Sequence, residues 1–157
     1  MKSATLYRII FFSLCISFIW ACQSGVVYRQ KQSIPPDGWH YKDGIHFDVD
    51  IQDTLSLHAL YLDVRNTTDY AYSNLFLFME IEFPDKRVIR DTLECLLANR
   101  RGQWTGRGFG NTRTNRFLFR DDVWFPTGGT YQFRIYQGMR HEQLEGVSYV
   151  GIRIRKK

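Results

Sequence analysis

Ile45-His46-Phe47-Asp48-Val49-Asp50-Ile51 alternates apolar and polar side chains without a break. Successive side chains of an extended strand point to opposite faces, whereas a helix would scatter these four apolar residues around its axis. The stretch therefore reads as a strand, with Ile45, Phe47, Val49 and Ile51 on a core and His46, Asp48 and Asp50 in water. The same period recurs downstream. Leu60, Leu62 and Val64 alternate with Tyr61, Asp63 and Arg65; Tyr131, Phe133 and Ile135 alternate with Gln132, Arg134 and Tyr136; Val150, Ile152 and Ile154 lie between Gly151, Arg153 and Arg155.

Other stretches fill the gaps. Leu75 to Phe83 is nearly all apolar, the pattern of a central strand covered on both faces. Pro84-Asp85-Lys86 and Thr127-Gly128-Gly129 are turn sequences. Val88 to Leu97 reads as one strand or two, and Asn115 to Arg120 and Val123 to Phe125 as two more. Helical periodicity is hard to find in residues 37–157, apart from room for one turn near Gln137 to Glu142. About eight short strands with turns between them predict an all-β chain, a single antiparallel β-sandwich after an N-terminal signal helix, with an up-and-down barrel as the second choice.

The N-terminus has a different character. Lys2 and Arg8 form a basic start, and Ile9 to Trp20 is a mainly apolar run of 12 residues. A membrane-spanning helix needs about 20 residues, so this run reads as the core of a secretory signal. The run ends Ile19-Trp20-Ala21-Cys22, a small residue directly before a cysteine. That arrangement predicts cleavage before Cys22 and a covalent lipid on its thiol, although Trp20 is larger than the usual residue there. One acyl chain holds a protein only marginally, and two or more hold it durably. The chain then divides into a signal peptide (1–21), a lipidated Cys22 with a polar tether (22–36, ending Pro35-Pro36) and a β-sandwich domain (37–157). Gln23 follows Cys22 with no Asp to retain the protein at an inner membrane, so the expected address is the periplasmic face of an outer membrane.

Composition narrows the function. The full chain carries 21 Lys and Arg against 16 Asp and Glu, a net +5; loss of Lys2 and Arg8 with the leader leaves +3. That mild excess makes no case for nucleic acid. With Cys15 discarded and Cys22 lipidated, Cys95 is alone, and its setting in Leu93-Glu94-Cys95-Leu96-Leu97 reads as core. His40, His46, His58 and His141 lack metal-ligand spacing and read as solvent-facing. Asp121-Asp122 reads as a turn or loop start. Gly102 to Gly110 lacks the strand before and helix after that a phosphate loop needs, so it reads as a long loop with positive-φ positions around a packed Trp104. No serine sits in a nucleophile elbow. The expectation is no catalytic residue, no metal and no cofactor beyond the lipid. Arg100, Arg101, Arg107, Arg113, Arg116 and Arg120 cluster in sequence, either as a solvated face or as a surface for an acidic partner, glycan or headgroup. Trp39, Trp104 and Trp124 could stack on sugars if exposed, which keeps a glycan-binding module as the alternative function, although burial is commoner for such residues.

Several stretches together resemble one family. They are Cys22 close to Val27-Tyr28; Trp39 ahead of the Ile45 to Ile51 strand; Val64-Arg65-Asn66 through Asp69-Tyr70-Ala71-Tyr72-Ser73-Asn74-Leu75; Gly102-Gln103-Trp104-Thr105-Gly106-Arg107-Gly108; Gly129-Thr130-Tyr131-Gln132-Phe133; and Gln137-Gly138-Met139-Arg140 with Leu144-Glu145-Gly146-Val147 and Val150 to Arg153. In order and spacing the chain resembles the gliding-motility lipoprotein GldH family of the Bacteroidetes. The resemblance implies a non-catalytic accessory role beside the gliding and type IX secretion machinery. It implies partners among other lipoproteins or membrane components of that machinery, and no reaction. The matching polar, aromatic and basic positions are Arg65, Asn66, Tyr70, Tyr72, Asn74, Trp104, Arg107 and Arg140, each a candidate for interaction or for the fold itself.

Overall fold

In the computed structural model, which describes residues 25–157, Ile45–Ile51 is a strand with its four apolar side chains buried and its three polar ones exposed. The leader and Cys22 lie outside the described residues. Ten strands follow one another: β1 (Val26–Ser33), β2 (Trp39–His40), β3 (Ile45–Ile51), β4 (Leu57–Thr67), β5 (Asn74–Glu82), β6 (Val88–Leu96), β7 (Thr112–Trp124), β8 (Gly129–Gln137), β9 (Gln143–Leu144) and β10 (Val147–Lys156). Eight of them form two four-stranded antiparallel sheets, ordered β1-β10-β4-β7 and β3-β8-β5-β6; β2 and β9 pair separately.

The inward side chains of both sheets belong to one apolar cluster. Leu62, Val64, Val150 and Ile152 come from the first sheet, and Phe47, Leu77, Tyr131 and Phe133 from the second. Fully burying one such side chain is worth about 1.5–3 kcal/mol, so their sum, set against chain entropy, is what holds the layers together. The chain crosses between sheets at most connections. This strand order, with two interlocked Greek keys, is a jelly roll and excludes the up-and-down barrel.

Several expectations change in three dimensions. The tether expected over 22–36 is mostly strand, because Val26–Ser33 pairs along β10 from Arg155 to Tyr149. Its composition is polar because it is an edge strand whose outer side meets water. The stretches expected as two strands around Asp121-Asp122 are one strand, β7, bulged at Asp122 (φ 52°). β5 is covered on one face only: Leu75, Leu77, Met79 and Ile81 point inward and Phe78 outward. No helical turn forms at 138–142. His58 is buried instead of solvent-facing, its ring edge-on to Phe125 at 5.2 Å, and neither ring nitrogen has a partner among the described residues.

The jelly roll has two unlike ends. The long connections 34–44, 68–73, 97–111 and 138–146 gather at one end. The short ones, 52–56, 83–87 and 125–128, lie at the other, beside the start of β1 and the end of β10. Phe133 is buried in the middle of the central strand β8; Phe133→Ala should lower stability by about 3–5 kcal/mol in equilibrium urea unfolding.

Candidate functional site

The residues singled out in the sequence meet at the long-connection end. Tyr70 is buried there and donates its hydroxyl to the Asn74 carbonyl at 2.9 Å; burial raises its pKa above the ordinary tyrosine value. Tyr72 packs edge-on to Tyr70 at 5.6 Å and bonds the His141 ring through its hydroxyl. The Ser73 carbonyl accepts from the Leu97 and Ala98 amides at 2.8 and 2.9 Å, and Asn74 donates to Glu94 at 2.7 Å. Gly146 (φ +83°) lets its loop lie against Tyr70: a Cβ there would stand 2.9 Å from the Tyr70 Cα. Asn66 is buried and donates to the Thr67 carbonyl at 2.8 Å. Trp104 packs on the core. In this structure Tyr70 meets the 138–146 connection at Gly146, Asn66 and Asn74 make bonds at the ends of β4 and β5, and Trp104 packs on the core, while Arg107 and Arg140 project into solvent and make no ion pair among the described residues.

The arginines clustered in sequence disperse. Arg100, Arg101 and Arg107 stay on the long loop, whose Phe109 is 97% exposed. Arg113 turns back to the Gly110 and Thr112 carbonyls, Arg120 pairs with Asp91, and Arg116 lies on the outer face of the first sheet.

That outer face is the feature the linear reading missed. Residues directly opposite in an antiparallel pair share a face. Register therefore aligns Arg29 with Arg153 and Tyr61, Lys31 with Gly151, Asp63 and Arg116, and Tyr149 with Arg65, with Arg155 one step beyond. Asp63 is the single carboxylate in these rows, and Arg116 engages it twice, at 2.6 and 2.9 Å. Lys31 and Arg65 both lie 5.0 Å from the Tyr149 ring centre. Arg153 is half-buried and its Nε has no partner among the described residues; burial, then the charges of Arg116 and Arg29, lower its pKa. Like charges directly opposite weaken a sheet, so the fold itself has no use for Arg29 facing Arg153. The outer face of the other sheet is the reverse. It carries Asp48, Asp50, Glu80, Glu82 and Glu94 with Arg90 and Arg134 among them. Arg134 bridges Glu80 at 2.7 Å and Glu82 at 2.9 Å.

Among the described residues no three His, Cys, Asp or Glu are grouped to hold a metal, and no helix is long and apolar enough to cross a membrane. Cys95 is buried in the core as its context predicts; burial, then Glu94, push its thiol up to about 12. Trp39 is buried, whereas Trp124 is 59% exposed at the short-connection end, against the expectation of burial. The sequence signal for the basic face was present as outward positions in the period-2 pattern. Nothing local, however, says that β1, β10, β4 and β7 are neighbours.

A family model described as GldH lipoprotein matches residues 26–154. The chain is 36% identical to the "Gliding motility lipoprotein GldH homolog" of Christiangramia forsetii over 163 residues, covering 99% of this chain and 98% of that one. It is 30% identical to the "Gliding motility lipoprotein GldH" of Flavobacterium johnsoniae over 151 residues, covering 92% and 93%. Among solved structures, the sugar-binding EclA C-terminal domain is similar with a TM-score of 0.40 at 11% identity, over 81% of this chain and 78% of that one, too distant to bear on any ligand.

Two outcomes follow from the charges. Arg153→Met should leave stability unchanged or raise it by up to about 1 kcal/mol in thermal unfolding, because it removes a crowded, unpartnered cation. Arg134 holds Glu80, and Lys86 with Arg134 holds Glu82, below the usual glutamate range. Their contribution is complete above the unfolded value of about 4.3 and is lost as pH falls through the lower folded values. The melting temperature should therefore fall below roughly pH 4, and less steeply in Glu80→Gln.

Proposed function

The chain belongs to the GldH lipoprotein family, and from that membership we propose that it is a non-catalytic accessory subunit of the gliding apparatus that also supports type IX secretion. On this reading, lipid on Cys22 anchors it to the periplasmic face of an outer membrane. It acts by holding an acidic protein partner, another lipoprotein or membrane component of the same machinery, and by keeping that partner assembled.

The observation that carries the reading is the basic outer face of the β1-β10-β4-β7 sheet. Arg29, Lys31, Arg153 and Arg155 stand together there with no carboxylate partner among the described residues. Such an arrangement costs the isolated domain repulsion that an acidic surface would remove. Arginine and tyrosine, here Tyr61 and Tyr149, are also residue types that anchor protein interfaces. The exposed Arg100, Arg101, Arg107 and Arg140 extend positive charge onto the long-connection end.

The test is complementation of a deletion strain, with crosslinked capture of partners. Wild type should restore spreading and secretion and recover gliding or secretion components. Arg29→Glu with Arg153→Glu should accumulate to wild-type levels yet recover about one-tenth or less of those components, as expected for reversing charge at a complementary interface. Full complementation by the double variant, or normal spreading and secretion in the deletion strain, would overturn the proposal.

A further inference from the structure

We infer that the short-connection end of the jelly roll rests on the lipid bilayer, with Leu55, Leu57 and Trp124 seated in its interfacial layer. The inference rests on the Cys22 anchor proposed above.

The first argument is reach. The Lys156 amide donates to the Gly25 carbonyl at 2.7 Å, and Val26 stands opposite Arg155, so Gly25 is held at the short-connection end. Only Gln23 and Ser24 separate Gly25 from Cys22. An extended chain spans at most about 3.6 Å per residue, which puts Cys22 within roughly 11 Å of that end. The polar layer on each side of a bilayer is about 5–8 Å deep. A tether of this length cannot lift the domain clear of the surface, and it fixes which end is lowered.

The second argument is the chemistry of that end. Leu55 is 93% exposed at the tip of the 52–56 connection, and Leu57 lies across from Trp124 in the β4–β7 ladder. The Trp124 indole N–H donates to the Thr54 carbonyl at 2.7 Å, which fixes the ring over the same connection. Tryptophan with leucine beside it is the composition that settles at a membrane–water boundary. The lysines here are already matched. Lys156 pairs with Asp53 at 2.6 Å, and Lys157 with Asp121 and Asp122 at 2.7 and 2.6 Å. With the lysines matched, contact is chiefly apolar in origin, and Arg155, opposite Val26, is the cation of this end left without a carboxylate among the described residues. The strands then stand away from the membrane. β4, with 11 residues, places the long-connection end about 35 Å out, and the basic face becomes a side wall open to partners in the plane of the membrane.

The test uses the lipidated protein purified from membranes and reconstituted in vesicles of phosphatidylethanolamine and phosphatidylcholine with brominated acyl chains. Flotation reports anchorage, and tryptophan emission reports depth. Trp39 and Trp104 lie toward the far end, so quenching should remove the Trp124 share of the emission alone. Trp124→Phe should abolish that loss, and Leu55→Asp should reduce it while the protein still floats. Wild type that floats with its Trp124 emission unquenched overturns the orientation and leaves the anchor standing. Wild type that floats no better than Cys22→Ala overturns the anchor and the orientation together.

Discussion

The Gln30 carbonyl of β1 would lie 2.7 Å from a Cβ on Gly151 of β10. Only the absence of that Cβ lets the first strand close against the last. On this approach depend three other features. It brings Arg29 and Lys31 alongside Arg153, making a basic face from what would otherwise be a basic strip. It turns a polar N-terminal segment into the edge of a sheet. It also sets the start of β1 beside the C-terminus, which is what gives a lipid on Cys22 the power to orient the domain in the proposed arrangement.

The two outer faces are unlike because they answer different demands. On the β3-β8-β5-β6 sheet, Arg134, Arg90 and Lys86 neutralise Glu80 and Glu82 locally. Exposed pairs of that kind contribute little singly. On the opposite sheet Asp63 pairs with Arg116, while Arg29, Lys31, Arg153 and Arg155 have no carboxylate partner among the described residues. A domain that is nearly neutral as a whole thus presents one strongly basic wall, and that polarity favours one orientation of an approaching acidic surface.

The candidate residues divide along the same line between structure and exposure. Tyr70, Asn66, Asn74 and Trp104 are legible as a motif, and their hydrogen bonds and packing are spent within the long-connection end and against the core. Arg107 and Arg140 were visible too, and they remain in water. Arg29, Lys31, Arg153 and Arg155 were not singled out, since each looked like an ordinary outward residue of its own strand. The sequence settings of His58 and Trp124 point the opposite way from their placement. Neighbour chemistry in the chain says little about which side of a bulged strand pair a residue occupies, and the β4–β7 register shifts between His58 and Tyr61.

Period-2 alternation is a local property, so the sequence by itself determined that the chain is all-β, which side chains of β3, β4, β8 and β10 enter the core, and that Cys95 is buried among them. The same local order carried the motifs by which the family was recognised. Strand order is not local. Whether β1 lies beside β10 or elsewhere depends on contacts between residues more than a hundred positions apart, settled by how two apolar faces close over one core and where a glycine admits a neighbour. Only the tertiary structure therefore decided which outward arginines meet, and which end of the jelly roll begins beside Gly25.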